Sequence, residues 1–281
     1  MIIGCLGKGG SGKSTIATLL TKYLVSQGKC VLAIDADHNM DLSHNLGAPL
    51  EKMSFIGSSL PSLLSYVGLS KDEKYYEIFS KEGKDPVFHF SGAQDLYTKH
   101  YAHPLSASLF IMTAGPHTEN ILHGKYCSHS LATPLKVYLP FLSLQNDNYV
   151  VVDEKAGSDG AGTGVCTGFD VGCIMVEPTE HGVKAAKQIA ELLDFFGTPY
   201  VFVGNKVMDE EDMCYITKNI PCAPVTCISH GKMARGAILD QSVSIHLSHI
   251  IGAFRDLDIT SRKRRSKEKF EKNKNHTDVL V

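Results

Sequence analysis

Nine residues near the start of the sequence, Gly7-Lys8-Gly9-Gly10-Ser11-Gly12-Lys13-Ser14-Thr15, combine four glycines and two lysines with hydroxyls at the close. The spacing Gly7-x4-Gly12-Lys13-Ser14 is that of a phosphate-binding loop. Glycines let consecutive backbone N–H groups turn inward around an anion, and a helix start adds partial positive charge. The expected nucleotide cradle is Gly9, Gly10, Ser11, Gly12, Lys13, Ser14 and Thr15, with Lys13 on the β- and γ-phosphates of ATP and the Ser14 hydroxyl on Mg2+. Three carboxylates can complete such a centre: Asp35 and Asp37 at the end of the apolar run from Cys30, and Asp153 at the end of the run from Tyr149. Carboxylates are costly inside a core but natural at the rim of an α/β sheet, where an acid such as Asp153 can bind magnesium or its waters. Asn205 closes a further apolar run, and its amide offers a donor and an acceptor together, matching the N6/N7 edge of adenine. Blander readings stand beside these: an acidic loop for Asp35 and Asp37, a turn cap for Asp153, a loop cap for Asn205.

The elements that must position these groups are legible as periodicity. Met1 to Leu6 is an apolar strand run, and Ile16, Leu19, Leu20, Tyr23 and Leu24 follow at helical spacing until Gly28. Strand runs recur at 30–35, 109–114, 149–153, 172–177 and 200–205, and residues 181–196 carry Val183, Ala186, Ile189, Ala190, Leu193 and Phe196 on one helical face. Strands alternating with helices predict an α/β fold, a doubly wound and mostly parallel sheet flanked by helices, as in P-loop NTPases. Residues 1–260 read as a single domain. Within it, 48–108 hold no sustained period and read as a variable insertion, mobile or partner-facing, with short helices around 60–67 and 74–80. Leu131 to Leu144 reads as a helix interrupted by Pro134 and Pro140. Residues 261–281 set eight lysines and arginines between 262 and 274 against Glu268 and Glu271 alone, the composition of a basic, disordered tail.

Composition narrows the setting. The 281 residues are 43% hydrophobic with a formal net charge of -2, so no broad polyanion-binding face is implied, and nucleic acid would find a surface only on the basic tail. The apolar runs are short and broken, which predicts no membrane span, and nothing resembles a secretory leader; a cytoplasmic protein is expected. The eight cysteines are then reduced thiols, with Cys5, Cys30 and Cys173 inside strand runs as packing residues.

Lys8, at the second position of the loop, makes the motif Lys-Gly-Gly-x-Gly-Lys-Ser. It resembles the deviant Walker A ATPases (the MinD/ParA/nitrogenase iron protein-like family). Asp35-Ala-Asp37 with Asn39-Met40, Asp153-x-x-Ala-Gly157 and Gly204-Asn-Lys206 continue the resemblance in order along most of the chain. It implies a Mg-dependent ATP hydrolase acting on the β–γ phosphoanhydride and switching between a monomer and an ATP-sandwiched homodimer. In such a dimer Lys8 reaches the partner's nucleotide, Asp37 orients the attacking water, Asp35 and Asp153 hold hydrated magnesium, and Asn205 reads adenine. His38 stands where that family usually has proline.

Within the family, the run Val176-Glu-Pro and the motifs above look most like the nickel-inserting accessory ATPases of carbon monoxide dehydrogenase, the CooC type. Those carry Cys-x-Cys before the Walker B strand, where this sequence has Cys127-Ser128-His129. Two such loops across a twofold would offer two thiolates and two imidazoles, a set suited to Zn2+ or Ni2+, with a client metalloenzyme as partner. The alternatives are a partition or septum-site ATPase for spatial organisation, and an iron–sulfur reductase, for which Cys166 is the nearest thiol to the second switch.

Overall fold

The computed structural model describes the chain except residues 71, 82–84, 86, 91–94, 118, 120–122, 124–127, 146, 230–237 and 278–281, and except the side chains of 128, 129, 159 and 272–277. Ten strands are assigned among the described residues: β1 Ile2–Gly7, β2 Cys30–Asp35, β3 Phe88–Phe90, β4 His103–Pro104, β5 Leu109–Thr113, β6 Leu142–Leu144, β7 Asn148–Asp153, β8 Val171–Val176, β9 Tyr200–Val207 and β10 Thr226–Ser229. Eight of them form one sheet in the order β10-β9-β8-β1-β7-β2-β5-β4, parallel throughout except for the edge pair β4 and β5. This is the expected doubly wound architecture, with β1 at the centre between β7 and β8.

The strands are apolar on both sides because helices cover both faces. On β1, Ile2 and Leu6 join one buried cluster while Ile3 and Cys5 join the other. The helix α1, Lys13–Ser26, lays Ile16, Leu19, Leu20 and Leu24 into the second cluster, directly beneath the phosphate loop. Helix Glu180–Phe196 starts where the Thr179 hydroxyl accepts the Gly182 N–H at 3.0 Å, buries Val183, Ala186, Ile189, Ala190 and Leu193, and stops at left-handed Gly197.

Three expectations from the sequence need correction. Residues 135–138 form one short helical turn, and 142–144 form β6, because Pro134 starts the turn and Pro140 cannot continue it. The described residues of 48–108 contribute Ile56, Leu63, Ile78, Phe79, Phe88 and Phe90 to the core, and helix Leu60–Tyr66 and the 3-10 turn Tyr75–Phe79 match two short expected helices. β3 pairs in parallel with β6; Phe88 and Tyr97 are buried against Tyr138, and Phe90 lies edge-on to Phe110. Aromatic packing over large sequence separations holds this segment, and a periodicity search does not see it.

The third correction is the tail. Arg262–Thr277 is a helix, and its face carrying Arg265, Ser266, Lys269 and Phe270 is buried. Phe270 enters a nest of Tyr75, Tyr76 and Phe79, and Ser266 bonds Thr167 hydroxyl to hydroxyl at 2.8 Å. Arg265 donates to the carbonyls of Thr167, Phe169 and Thr260, and Arg262 pairs with Asp170 at 3.1 Å. The arginines thus cap the end of the 3-10 turn Val165–Gly168, a role invisible in a charge count.

Lys269 makes a testable case within this helix. It is 8% exposed, its Nζ lies 4.9 Å from the Phe196 ring centre, and among the described residues no carboxylate is in ion-pair range. Burial pushes its pKa down to about 8 from the usual 10.5. Between these two values the unfolded chain binds the extra proton, so Lys269 makes stability rise with pH across that window and costs most below it. Lys269→Met is expected to raise stability by on the order of 1–3 kcal/mol at neutral pH. The gain should shrink toward pH 10.5, which denaturation melts at both pH values would measure.

Candidate active site

The loop between β1 and α1 turns back through Ser11 N–H to Lys8 O at 3.1 Å and enters the helix with Ile16 N–H on Gly12 O at 2.9 Å. No side chain caps α1 and no acid sits in its first turn, so its leading N–H groups and dipole face the loop without competition. A cavity of about 250 Å³ opens there. It is lined by Gly9, Gly10, Gly12, Lys13, Ser14 and Thr15 from the loop and helix start, by Asp37, Asn39 and Asp41 from the segment after β2, and by Ala156 from the segment after β7. Ser11 lies behind the loop, 1% exposed. Six of the seven expected cradle residues, all but Ser11, therefore line this cavity, and Lys13 Nζ donates to the Lys8 carbonyl at 3.4 Å.

The strand ends supply the acids. Parallel pairing of β2 with β7 sets Asp35 opposite Asp153. Asp35 is fully buried: its Oδ2 accepts the Ser43 N–H at 2.8 Å and the Ser43 hydroxyl at 2.9 Å, while Oδ1 faces the Asp37 N–H at 3.3 Å. Burial pushes its pKa up to about 7 against the pull of the Ser43 bonds. Asp153 is 1% exposed, and among the described residues neither of its carboxylate oxygens has a hydrogen-bond partner. Burial and then the Asp35 charge hold its pKa well above the carboxylate range, with the nearby Ser14 hydroxyl and Lys13 opposing. Orphaned acceptors beside a hydroxyl and a second carboxylate fit a hard cation, and magnesium commonly takes one or two carboxylates with the rest of its shell from phosphate and water. Ser14, Asp35 and Asp153 are the residues present to hold it.

Other expected residues stand differently. Lys8 is outside the cavity wall, its side chain 43% exposed and its Nζ 3.9 Å from Glu177 Oε2. Asn205, the expected adenine reader, is 4% exposed, and its Nδ2 donates to the Ser11 carbonyl at 2.7 Å. A Cβ on Gly12, whose φ is +94°, would collide with that same amide nitrogen. The amide thus packs tightly on the phosphate loop and ties β9 to it. Cys127 lies outside the described residues, and so does the side chain of His129, whose backbone sits in the turn Ser128–Ala132. Among the described residues, no three His, Cys, Asp or Glu side chains are grouped to hold a metal, so nickel and zinc gain no support here. Cys166 is buried with its thiol toward the Ala161 carbonyl at 3.2 Å, an inert packing role.

Two participants were missed from sequence. Lys206, left-handed at φ +61°, donates to the Gly10 carbonyl at 2.6 Å and to Glu177 Oε1 at 2.6 Å, holding the loop beside Asn205. The adjacent Asn205-Lys206 at a strand end was the available signal. Glu154, 1% exposed with one oxygen unpartnered, is pushed by burial up to about 8. Nothing local distinguishes it from a solvated acid.

A family model, the CobQ/CobB/MinD/ParA nucleotide binding domain, matches residues 2–264. The chain belongs to this family. The nucleotide-binding description fits the loop built here between β1 and α1, and the expected ATP hydrolase agrees with membership. An uncharacterized ATP-binding protein of Methanocaldococcus jannaschii is 28% identical over 255 residues, 89% of this chain and 96% of the relative. The carbon monoxide dehydrogenase accessory protein CooC of Rhodospirillum rubrum is 27% identical over 221 residues, covering 77% of this chain and 78% of CooC. Among solved structures, a plasmid partition protein of Borrelia burgdorferi bound to AMPPNP aligns over 90% of this chain and 98% of its own at a TM-score of 0.59 and 16% identity, a likeness of fold. Among the described residues no helix is long and apolar enough to cross a membrane.

Proposed function

We propose that this chain is a Mg-dependent ATP hydrolase that assembles as an ATP-sandwiched homodimer and serves as a metallocentre maturation factor resembling the CooC type. The phosphate loop and α1 bind the triphosphate; Lys13 places its ammonium against the β- and γ-phosphates, and Asp37 orients water for in-line attack, since phosphoryl transfer depends mainly on positioning and charge. Magnesium, held through Ser14, Asp35 and Asp153, supplies charge neutralisation at the phosphates. Residues 1–260 act as one catalytic unit.

The observation that carries the dimer is Lys8. It belongs to the loop yet does not line the cavity, is exposed, and among the described residues pairs only at 3.9 Å with Glu177, so its charge is available to phosphates brought by a second copy. The maturation role rests on the identity with CooC across 77% of the chain, with Cys127 and His129 as the candidate ligands. Sedimentation of Asp37→Ala with ATP is expected to show dimer, and the same protein with Lys8→Ala added to show monomer; equal monomer content in both would sink the dimer. The ATP-bound dimer with and without Cys127→Ala or His129→Ala is then the material in which retained nickel or zinc is counted. Equal metal in all of them removes the maturation role and leaves a nucleotide-switched organiser of the partition kind.

A further inference from the structure

We propose that His38 is a positioning residue for hydrolysis, orienting the Asp37 carboxylate through its imidazole and making turnover sensitive to acid, with His117 as the ring that holds it in place. The proposal rests on the reading of Asp37 as the group that orients water. His38 Nδ1 lies 3.0 Å from Asp37 Oδ1, and that oxygen also accepts the Asn39 N–H at 3.2 Å. Oδ1 is therefore held from two sides, while among the described residues Oδ2 has no protein partner and Asp37 lines the nucleotide cavity. A carboxylate fixed by one oxygen offers the other in a defined direction, which is what in-line attack by a bound water demands.

The imidazole is itself held. Its ring stacks on His117, centroids 4.1 Å apart and 19° from parallel. His117 arrives from the segment after β5, beyond left-handed Gly115, and its buried Nε2 has no partner among the described residues. A stacked neighbour restricts the rotation of His38, so its Nδ1 stays on Asp37. His38 is not part of the cavity wall. Its effect should then fall on the chemical step and not on nucleotide binding.

Stacking also shapes the response to acid. The groups acting on the His38 proton are Asp37, His117 and Lys155; burial lowers its pKa below the usual 6.5, Asp37 opposes, and His117 and Lys155 add to the lowering. At neutral pH the ring is uncharged and donates Nδ1–H to Asp37. Once it gains a proton it becomes a cation on Oδ1, drawing carboxylate charge away from the water, and turnover falls as pH drops through that transition.

The test measures kcat and KM for ATP between about pH 5 and 9 on the full chain. His38→Ala is expected to lose about tenfold in kcat, with KM unchanged within about twofold. His38→Asn, whose Nδ2 can occupy the Nδ1 position, should recover most of kcat and lose the acid limb. The His38 ring, followed by NMR, should titrate at lower pH in Asp37→Asn than in wild type, because the pairing carboxylate is gone. Wild-type kcat in His38→Ala, an unaltered acid limb in His38→Asn, or an unmoved His38 titration would each overturn the proposal. Wild-type turnover by Asp37→Ala would instead remove the underlying role of Asp37; a slow Asp37→Ala beside a fast His38→Ala removes only the role of His38.

Discussion

Asp37→Ala is expected to slow ATP turnover by roughly a hundredfold, about 2.7 kcal/mol of transition-state stabilisation, while leaving ATP affinity close to wild type. The separation follows from geometry. Lys13 and the loop line the cavity from the segment between β1 and α1, and Asp37 lines it from the separate segment after β2, with Asn39 and Asp41. Asp37 is tied down by the Asn39 N–H at 3.2 Å and by His38, so its loss removes a fixed acceptor and leaves the anion cradle intact. Phosphate release under saturating ATP, beside calorimetric titration of the same variant, measures both halves. Turnover at the wild-type rate would show that the water is oriented by something else, with buried Glu154 the next carboxylate to test.

The largest expected effect on stability lies far from the nucleotide. Phe270→Ala should cost about 3–5 kcal/mol in denaturant unfolding. Phe270 is 7% exposed, stacked on Phe79 at 5.2 Å and Tyr76 at 5.7 Å, and edge-on to Tyr75 at 5.5 Å. Removing the ring leaves a cavity that three large aromatics cannot close, and it detaches the helix Arg262–Thr277 from the segment 75–79. Lys267→Ala on the exposed face of the same helix loses only a surface pair with Glu271 at 3.7 Å, and should change stability by less than about 0.5 kcal/mol. Equal midpoints for the two variants would mean that the helix is not docked in solution, the disordered tail that its composition suggested.

These two variants mark the boundary between what could be read from the chain and what could not. The phosphate loop was legible because it is local: strand, glycine turn, lysine and helix start follow one another within about two dozen residues, and each type is required by the backbone it sits in. Asp35 and Asp153 were legible as strand ends because apolar runs stop where the sheet meets ligand, and their pairing then followed from parallel register. The alternation of strand and helix runs likewise carried the doubly wound fold.

Tertiary structure alone decided the rest, for reasons of distance and sparsity. One phenylalanine in a stretch of lysines carries no period, yet it docks that helix because Tyr75, Tyr76 and Phe79 arrive from nearly two hundred residues away. Asn205 is an amide at a strand end by sequence and a latch on Ser11 in space, 194 residues distant, because β9 lies two strands from β1 and brings it behind the loop. Lys206 reaches both the Gly10 carbonyl and the Glu177 carboxylate by the same convergence of strand ends. His38 and His117 could be noticed separately in the sequence, but only the adjacency of β2 and β5 stacks their rings beside Asp37. Sequence determined which groups are present and which short elements carry them; sheet order determined which of them touch.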